Sequence, residues 1–263
     1  MVFFLLCQPA PAWASETEEL PGVDLKDLDK DEKKLLLDIL DNQFDPCGKP
    51  RSFTDALKDR GSCKTAVPLA NFSVGLVQQG LSKRQIVRAL LKEQKRLSVR
   101  HTFTLKGRPS IGPGKARVTV VEFSDFECPH CKEVSRALKK LIKGRDVRIV
   151  FKQYPLQFHE NARPAAVAVV AAHFQGKFWP MHERLFADQD KLSEKHIQKL
   201  AKKVGLDMKR FKADQAHARS MVEDDRMEGE LADIEGTPTF FVNGQQVEYE
   251  DLDARINAAL KKK

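Results

Sequence analysis

At 263 residues the chain is long for one compact domain and short for three, so one or two domains are expected. An apolar fraction of 41% fills a core, a charged fraction of 31% suits a soluble protein, and no run approaches the roughly 18 apolar residues of a membrane span. The net charge of +8 raises the question of an anionic partner. The densest basic stretch has Lys83, Arg84, Arg88, Lys92, Lys95, Arg96 and Arg100 against Glu93 alone. It carries no interleaved aromatics, which reads as a solvated helix face and not as a nucleic-acid surface.

The chain opens with MVFFLLCQPAPAWASETEEL. Val2 to Cys7 is apolar, and Ala12-Trp13-Ala14 before Ser15 fits a small-x-small cleavage site, so residues 1–14 read as a signal peptide. No basic n-region precedes it, and an apolar N-terminal arm is the alternative. Residues 15–27 read as an acidic linker.

Residues 28–100 read as a small all-helical domain. In its first helix Leu36, Ile39 and Leu40 share a face, with Asp29, Asp31 and Glu32 in the opening turn. A Pro/Gly-broken stretch with one short helix separates Cys47 from Cys63. A helix from about Thr65 stops at Gly80, and Ser82 to Gln85 forms a capping-box pattern for the next, which turns Ile86, Val87, Leu90 and Leu91 inward.

The pattern changes over residues 101–263. His101 to Lys106 alternates as a strand, GRPSIGPG is a loop, and Val118 to Phe123 is an apolar strand interrupted by Glu122. Pro129 to Ile142 has helical spacing, and Val147 to Phe151 is another buried-type strand. Residues 161–231 read as helices, with Phe178, Trp179, Met181 and Phe186 as their core. Thr239 to Val242, the Asn243-Gly244 turn and Gln246 to Glu248 make a hairpin, and Leu252 to Leu260 a final helix. The sum is an α/β sheet with a helical insertion.

The chemistry lies in CPHC. A strand feeding a helix puts Cys128 at the helix N-terminus, where free N–H groups and the helix dipole favour a thiolate. Pro129 suits the first helical position because it has no N–H to leave unpaired. Cys131, one turn on, is placed to resolve a mixed disulfide. His130 lowers the Cys128 pKa if protonated or donating a hydrogen bond, whereas Glu127 opposes it. A fall from about 8.5 to about 3.5 raises the reduction potential by roughly 100 mV at pH 7. The competing reading is zinc ligation, disfavoured because there is only one CxxC. The redox-active Cys128–Cys131 disulfide thus stands in place of a cofactor, and no metal is expected. His159, His173, His182, His196 and His217 show no ligand spacing. Cys47 and Cys63 read as a structural disulfide, closing a loop of about 15 residues for roughly 3 kcal/mol; a second redox pair is the alternative.

VVEFSDFECPHC, VRIVFKQYPL, GKFWPMHERLFADQDKLS and GTPTFFVNG together resemble the DsbA-like thiol-disulfide oxidoreductases of the thioredoxin superfamily. The resemblance runs from about Val118 to the C-terminus. It implies a thioredoxin-like fold with a helical insertion, here preceded by a small all-α domain. It also implies that Cys128 attacks, that Cys131 resolves, and that Thr237-Pro238 is a cis-proline loop facing the CxxC. Glu122 matches a buried acid that exchanges protons with Cys131, and Lys152, ending the next strand, is expected to pair with it.

The function implied is a periplasmic or otherwise exported enzyme that forms disulfides in reduced secreted proteins. Re-oxidation by a membrane partner of the DsbB or VKOR type is implied with it, and no nucleic acid is involved. A reductase or isomerase of the same fold is the alternative within that chemistry. A non-catalytic chaperone or binding module is the alternative outside it.

Overall fold

The computed structural model describes residues 20–59 and 61–261; the expected signal peptide, the start of the linker and the terminal Lys262-Lys263 lie outside the described residues. The chain divides into two compact units, one ending at Ser98 and one beginning at Val99.

The first unit is helical: α1 (Lys30–Asp41), α2 (Phe53–Lys58), α3 (Ala66–Gln78) and α4 (Lys83–Ser98). Capping sets the starts. Asp29 accepts from the Glu32 N–H while Glu32 accepts from the Asp29 N–H, both at 2.8 Å. Gln85 accepts from the Ser82 N–H at 3.0 Å and from its hydroxyl at 2.6 Å. Leu36, Ile39, Leu40, Phe53, Leu69 and Ile86 form the core. Cys47 and Cys63 are joined in a disulfide with their Cα atoms 5.7 Å apart. Beside it Asp45 accepts from the Cys47 N–H at 2.6 Å and from Arg51 Nε at 2.7 Å.

Two expectations are corrected here. The described end of the linker is packed: Leu20 is buried in the helical core, with Val23 and Leu25 against it. Its apolar residues follow no period, so their burial left no pattern to read. Leu91 is 51% exposed, because α4 turns only Ile86 and Leu90 fully inward.

The second unit is built on a five-stranded sheet of order β1-β3-β2-β4-β5. Its strands are β1 (Ser110–Ile111), β2 (Val118–Ser124), β3 (Val147–Gln153), β4 (Thr239–Val242) and β5 (Gln245–Val247). Strands β2 and β3 are parallel and central, which accounts for their near-continuous apolar composition; the other pairings are antiparallel. The register sets Glu122 beside Phe151 and Phe123 beside Lys152. Val118, Val120, Ile149 and Phe240 pack with Val134 and Leu138 of α5 (Pro129–Leu141) and Ile256 of α11 (Leu252–Lys261). Val121, Phe123, Val150 and Phe241 form a second cluster, on the opposite face by strand alternation.

The insertion comprises α6 (Ala162–His173), α7 (Phe178–Ala187), α8 (Glu194–Lys203), α9 (Met208–Ala213) and α10 (Gln215–Leu231). Every residue of α6 from Ala165 to Ala172 is buried, as its Ala/Val composition on all sides requires. Phe178, Met181 and Phe186 lie in the same core, and Trp179 packs against it half-buried.

His101 to Lys106 forms no strand. The His101 N–H goes to the Gly244 carbonyl at 2.7 Å and the Thr104 N–H to the Glu228 carboxylate at 3.1 Å. Its backbone is thus satisfied by a turn and a side chain, not by a ladder. The alternation is real in packing, since Phe103 and Leu105 lie against the second cluster. The short edge strand β1 falls instead inside the expected loop. Gly244 has φ +82°, and a Cβ there would stand 2.3 Å from the His101 carbonyl oxygen, so glycine is required on both counts.

Candidate active site

Strand β2 ends at Ser124, and a four-residue loop leads to α5, for which Cys128 is the N-cap (φ −75°, ψ 120°) and Pro129 the first helical residue. Asp125, fully buried, shapes that loop. It accepts from the Glu127 N–H at 2.6 Å, the Leu156 N–H at 2.8 Å and His159 Nδ1 at 2.9 Å. Glu127 in turn accepts from the Asn161 N–H at 2.6 Å and its side-chain amide at 3.2 Å. From the insertion, Gln189 donates to the carbonyls of Phe126 at 2.8 Å and Cys128 at 2.9 Å. Each backbone bond fixes where the following sulfur sits.

Cys128 and Cys131 are free thiols, both buried, at 5% and 0% exposure. The Asp125 N–H points at Cys131 Sγ from 3.5 Å. As a thiol, Cys128 donates to the Thr237 carbonyl at 3.1 Å, so the Thr237-Pro238 loop lies against the sulfur. The Thr237-Pro238 peptide bond is cis.

The pair is polarised. The hydrogen bond from the Cys131 thiol, with further help from the Cys131 and His130 N–H groups and the Thr237 side chain, outweighs burial and pulls the Cys128 pKa down from 9.0 to about 5. Burial, together with that same bond, holds Cys131 well above an ordinary thiol. One sulfur is therefore a thiolate at neutral pH and its neighbour a proton-bearing donor to it. His130, whose side chain is exposed, lowers the Cys128 pKa by a hydrogen bond from its backbone N–H, as its place in the first helical turn dictates.

Glu122 is buried in the central strand at 2% exposure, and burial, partly offset by Ser124, pushes its carboxyl up to about 8. The expected ion pair with Lys152 does not form. Lys152 Nζ instead contacts Asp225 at 2.6 Å and Glu228 at 2.9 Å on α10, and Arg108 Nε contacts Asp225 at 2.6 Å. The reason is register. Lys152 is aligned with Phe123, one residue past Glu122, and successive side chains of a strand point to opposite faces.

Sequence reasoning missed Asp125, Gln189, Asp225 and Phe158. Asp125 carried a signal, since an Asp two residues before a turn N–H commonly accepts from it. Gln189 and Asp225 act across 61 and 73 residues and carried none. Phe158 is 78% exposed and meets the His159 ring edge to face, and His159 anchors to the active-site loop. Among the described residues, the one cluster with metal-ligand spacing is Asp45, Cys47 and Cys63, whose sulfurs are bonded to each other.

The thioredoxin family model (Thioredoxin_4) matches residues 104–262, more than half of the chain. Among solved structures the chain is similar to BdbD from Bacillus subtilis, with 30% identity and a TM-score of 0.55, covering 62% of this chain and 98% of that one. It is similar also to a thioredoxin-like oxidoreductase from Silicibacter pomeroyi, with 27% identity and a TM-score of 0.53, covering 60% and 95%. Among curated proteins it is 41% identical over 139 residues to a Na(+)/H(+) antiporter, NhaA 3 of Salinispora tropica. That match takes in 51% of this chain but 21% of the antiporter, so the chain spans about a fifth of that relative.

Proposed function

The chain belongs to the DsbA-like thiol-disulfide oxidoreductases of the thioredoxin superfamily, and from that membership we propose that it donates disulfides to reduced, exported proteins. A client thiolate attacks Cys128 Sγ of the oxidised enzyme; the Cys128–Cys131 bond breaks, and Cys131 takes up a proton. A second client thiolate then attacks the client sulfur of the mixed disulfide. A client disulfide forms, Cys128 leaves as a thiolate, and the enzyme holds the two electrons. A membrane re-oxidase of the DsbB or VKOR type would take them away.

The observation that carries the direction is the split between the two sulfurs. A Cys128 pKa of about 5 makes that sulfur a good leaving group and stabilises the dithiol, hence an oxidising pair. The Cys128 thiol, set against the Thr237-Pro238 loop, supports a polypeptide client lying along that backbone, and the exposed Phe158 offers it an apolar contact. Export is supported by the Cys47–Cys63 disulfide, a bond that persists in oxidising compartments. Among the described residues, no helix is long and apolar enough to cross a membrane.

Titration of the purified protein against glutathione buffers at pH 7 tests the direction. A potential nearer about −120 mV than about −270 mV is expected for an oxidant. A value at the lower figure would assign the protein to reduction instead.

A further inference from the structure

Away from the sulfurs, the helical insertion holds a cavity of about 540 Å³ between α6, α8, α9 and α10. Cavities of roughly 300–1,000 Å³ are the size class that takes small-molecule ligands. None of the residues that bond to Cys128 or Cys131 lines it. Its floor is hydrocarbon. Val167 and Ala168 of α6, Ile197 of α8 and Phe211 of α9 are each at 5% exposure or less, and Met208 beside them is half-buried. The hollow has a cause in the sequence. From Ala165 to Ala172, α6 is all Ala and Val, whose short side chains reach little way towards α9, and α9 is six residues long with Phe211 alone buried. Among the described residues, no lining side chain has a buried polar atom without a partner. The floor therefore gives water nothing to bond, and an apolar group that displaces it gains by burial.

The rim is charged, and unevenly so. Arg163, Lys212 and Arg219 stand against Glu194 alone, and all four are exposed. Arg163 is held by Glu223 at 2.6 Å, and Glu223 also meets Arg226 at 3.1 Å. Lys212 and Arg219 have no carboxylate within ion-pairing distance among the described residues. Two uncompensated cations thus stand over a hydrocarbon floor.

We propose that this cavity binds an apolar acid: a small molecule whose hydrocarbon body lies against Val167, Ile197 and Phe211 and whose single carboxylate is held at the rim by Lys212 and Arg219. The balance of rim charge selects an anion over a cation. Glu194 and Glu223 border the same mouth and oppose a second negative charge on the ligand. A guanidinium matches a carboxylate in plane and with two parallel hydrogen bonds. Enclosure by four helices suits a small molecule and not the face of a folded protein. Binding of this kind moves no electron and takes no part in the exchange at Cys128.

The test titrates dodecanoate into the full oxidised chain by calorimetry, below the critical micelle concentration. One molecule per chain should bind saturably. Decanoate, two methylenes shorter, should bind roughly fifteenfold more weakly, about fourfold for each methylene left unburied. Dodecanol lacks the charged head and acetate the apolar body, and each should bind at least about tenfold more weakly than dodecanoate. Lys212→Glu combined with Arg219→Glu changes exposed positions only. It should weaken dodecanoate by at least about tenfold and leave dodecanol where it was. Lys199→Glu reverses an exposed charge on α8 outside the rim and should bind dodecanoate as the wild type does. Dodecanoate should also raise the melting temperature of the wild type, and not that of the double variant at the same concentration. Absence of saturable binding would overturn the proposal. So would dodecanol binding as tightly as dodecanoate, a flat response to chain length, or a double variant that binds as the wild type does. A Lys199→Glu variant as weak as the double variant would overturn it too, by assigning the attraction to net charge. None of these affinities depends on the redox direction of Cys128, so the glutathione titration and this one fail separately.

Discussion

Replacing Cys131 with Ala tests how the Cys128 thiolate is stabilised. The Cys131 thiol is the largest stabilising influence on it, and Ala removes that donor while keeping the backbone N–H groups of residues 130 and 131 and the Thr237 side chain. A hydrogen bond to a charged group contributes about 1.5–3 kcal/mol, so its loss should raise the Cys128 pKa by about 1–2 units, from about 5 to about 6–7. The value should stay below 9.0, because the helix N-terminus remains. Iodoacetamide alkylation rates or thiolate absorbance across pH 4 to 10 read the midpoint. The sign has a second consequence in the wild-type protein. The folded pKa is depressed, so the stabilisation of the dithiol is complete above 9.0, shrinks as pH falls and vanishes below about 5. At pH 7 about two decades of it remain, worth roughly 60 mV in potential. That is less than the roughly 100 mV allowed by the deepest shift proteins reach. An Ala variant that titrates with the wild type would refute the assignment of the Cys131 thiol. A wild-type midpoint near 9 would refute the thiolate altogether.

Two further outcomes follow from packing. Lys152→Met strands Asp225 with Arg108 and the Gln153 N–H in a fully buried position, and should cost about 3–5 kcal/mol in urea unfolding; a loss below about 1 kcal/mol would mean that Arg108 alone suffices. Gly229→Ala puts a methyl 2.5 Å from the Tyr154 ring, whose hydroxyl is tied to the Ile234 carbonyl at 3.0 Å. It should destabilise by about 1–3 kcal/mol through overpacking, read as a lower melting temperature.

What was legible in the sequence was local. The apolar run to Phe123, Pro129 one residue past Cys128, and the helical spacing after it place a thiol at a helix start, because strand, cap and helix each leave a short-range pattern. The Ser82–Gln85 box was visible for the same reason, whereas Asp29 and Glu32 were legible only as acids of a first helical turn and prove to cap it reciprocally. What stayed hidden depends on register or on distant chain. Gln189 steadies the Cys128 carbonyl from 61 residues away. Residues 101–106 alternate like a strand because Phe103 and Leu105 pack on the sheet, yet their N–H groups go to a turn and a carboxylate. Alternation reports burial of side chains, and only the backbone partners decide whether a ladder exists.

The Glu122–Lys152 mispairing has a functional consequence. Both residues interrupt apolar strands, and charge complementarity alone pairs them. A register in which they stood side by side would have given an ion pair on one face, holding the carboxyl ionised near its ordinary range or below. The observed register separates them. Lys152 meets Asp225 and Glu228 on one face, while Glu122 is left on the other with burial as its main influence and a pKa of about 8. A carboxyl there can hold or release a proton near neutral pH, which an ion-paired one could not. The one-residue offset between β2 and β3 therefore does more than satisfy a buried lysine. It keeps a titratable acid buried in the strand that leads into the Cys128 loop.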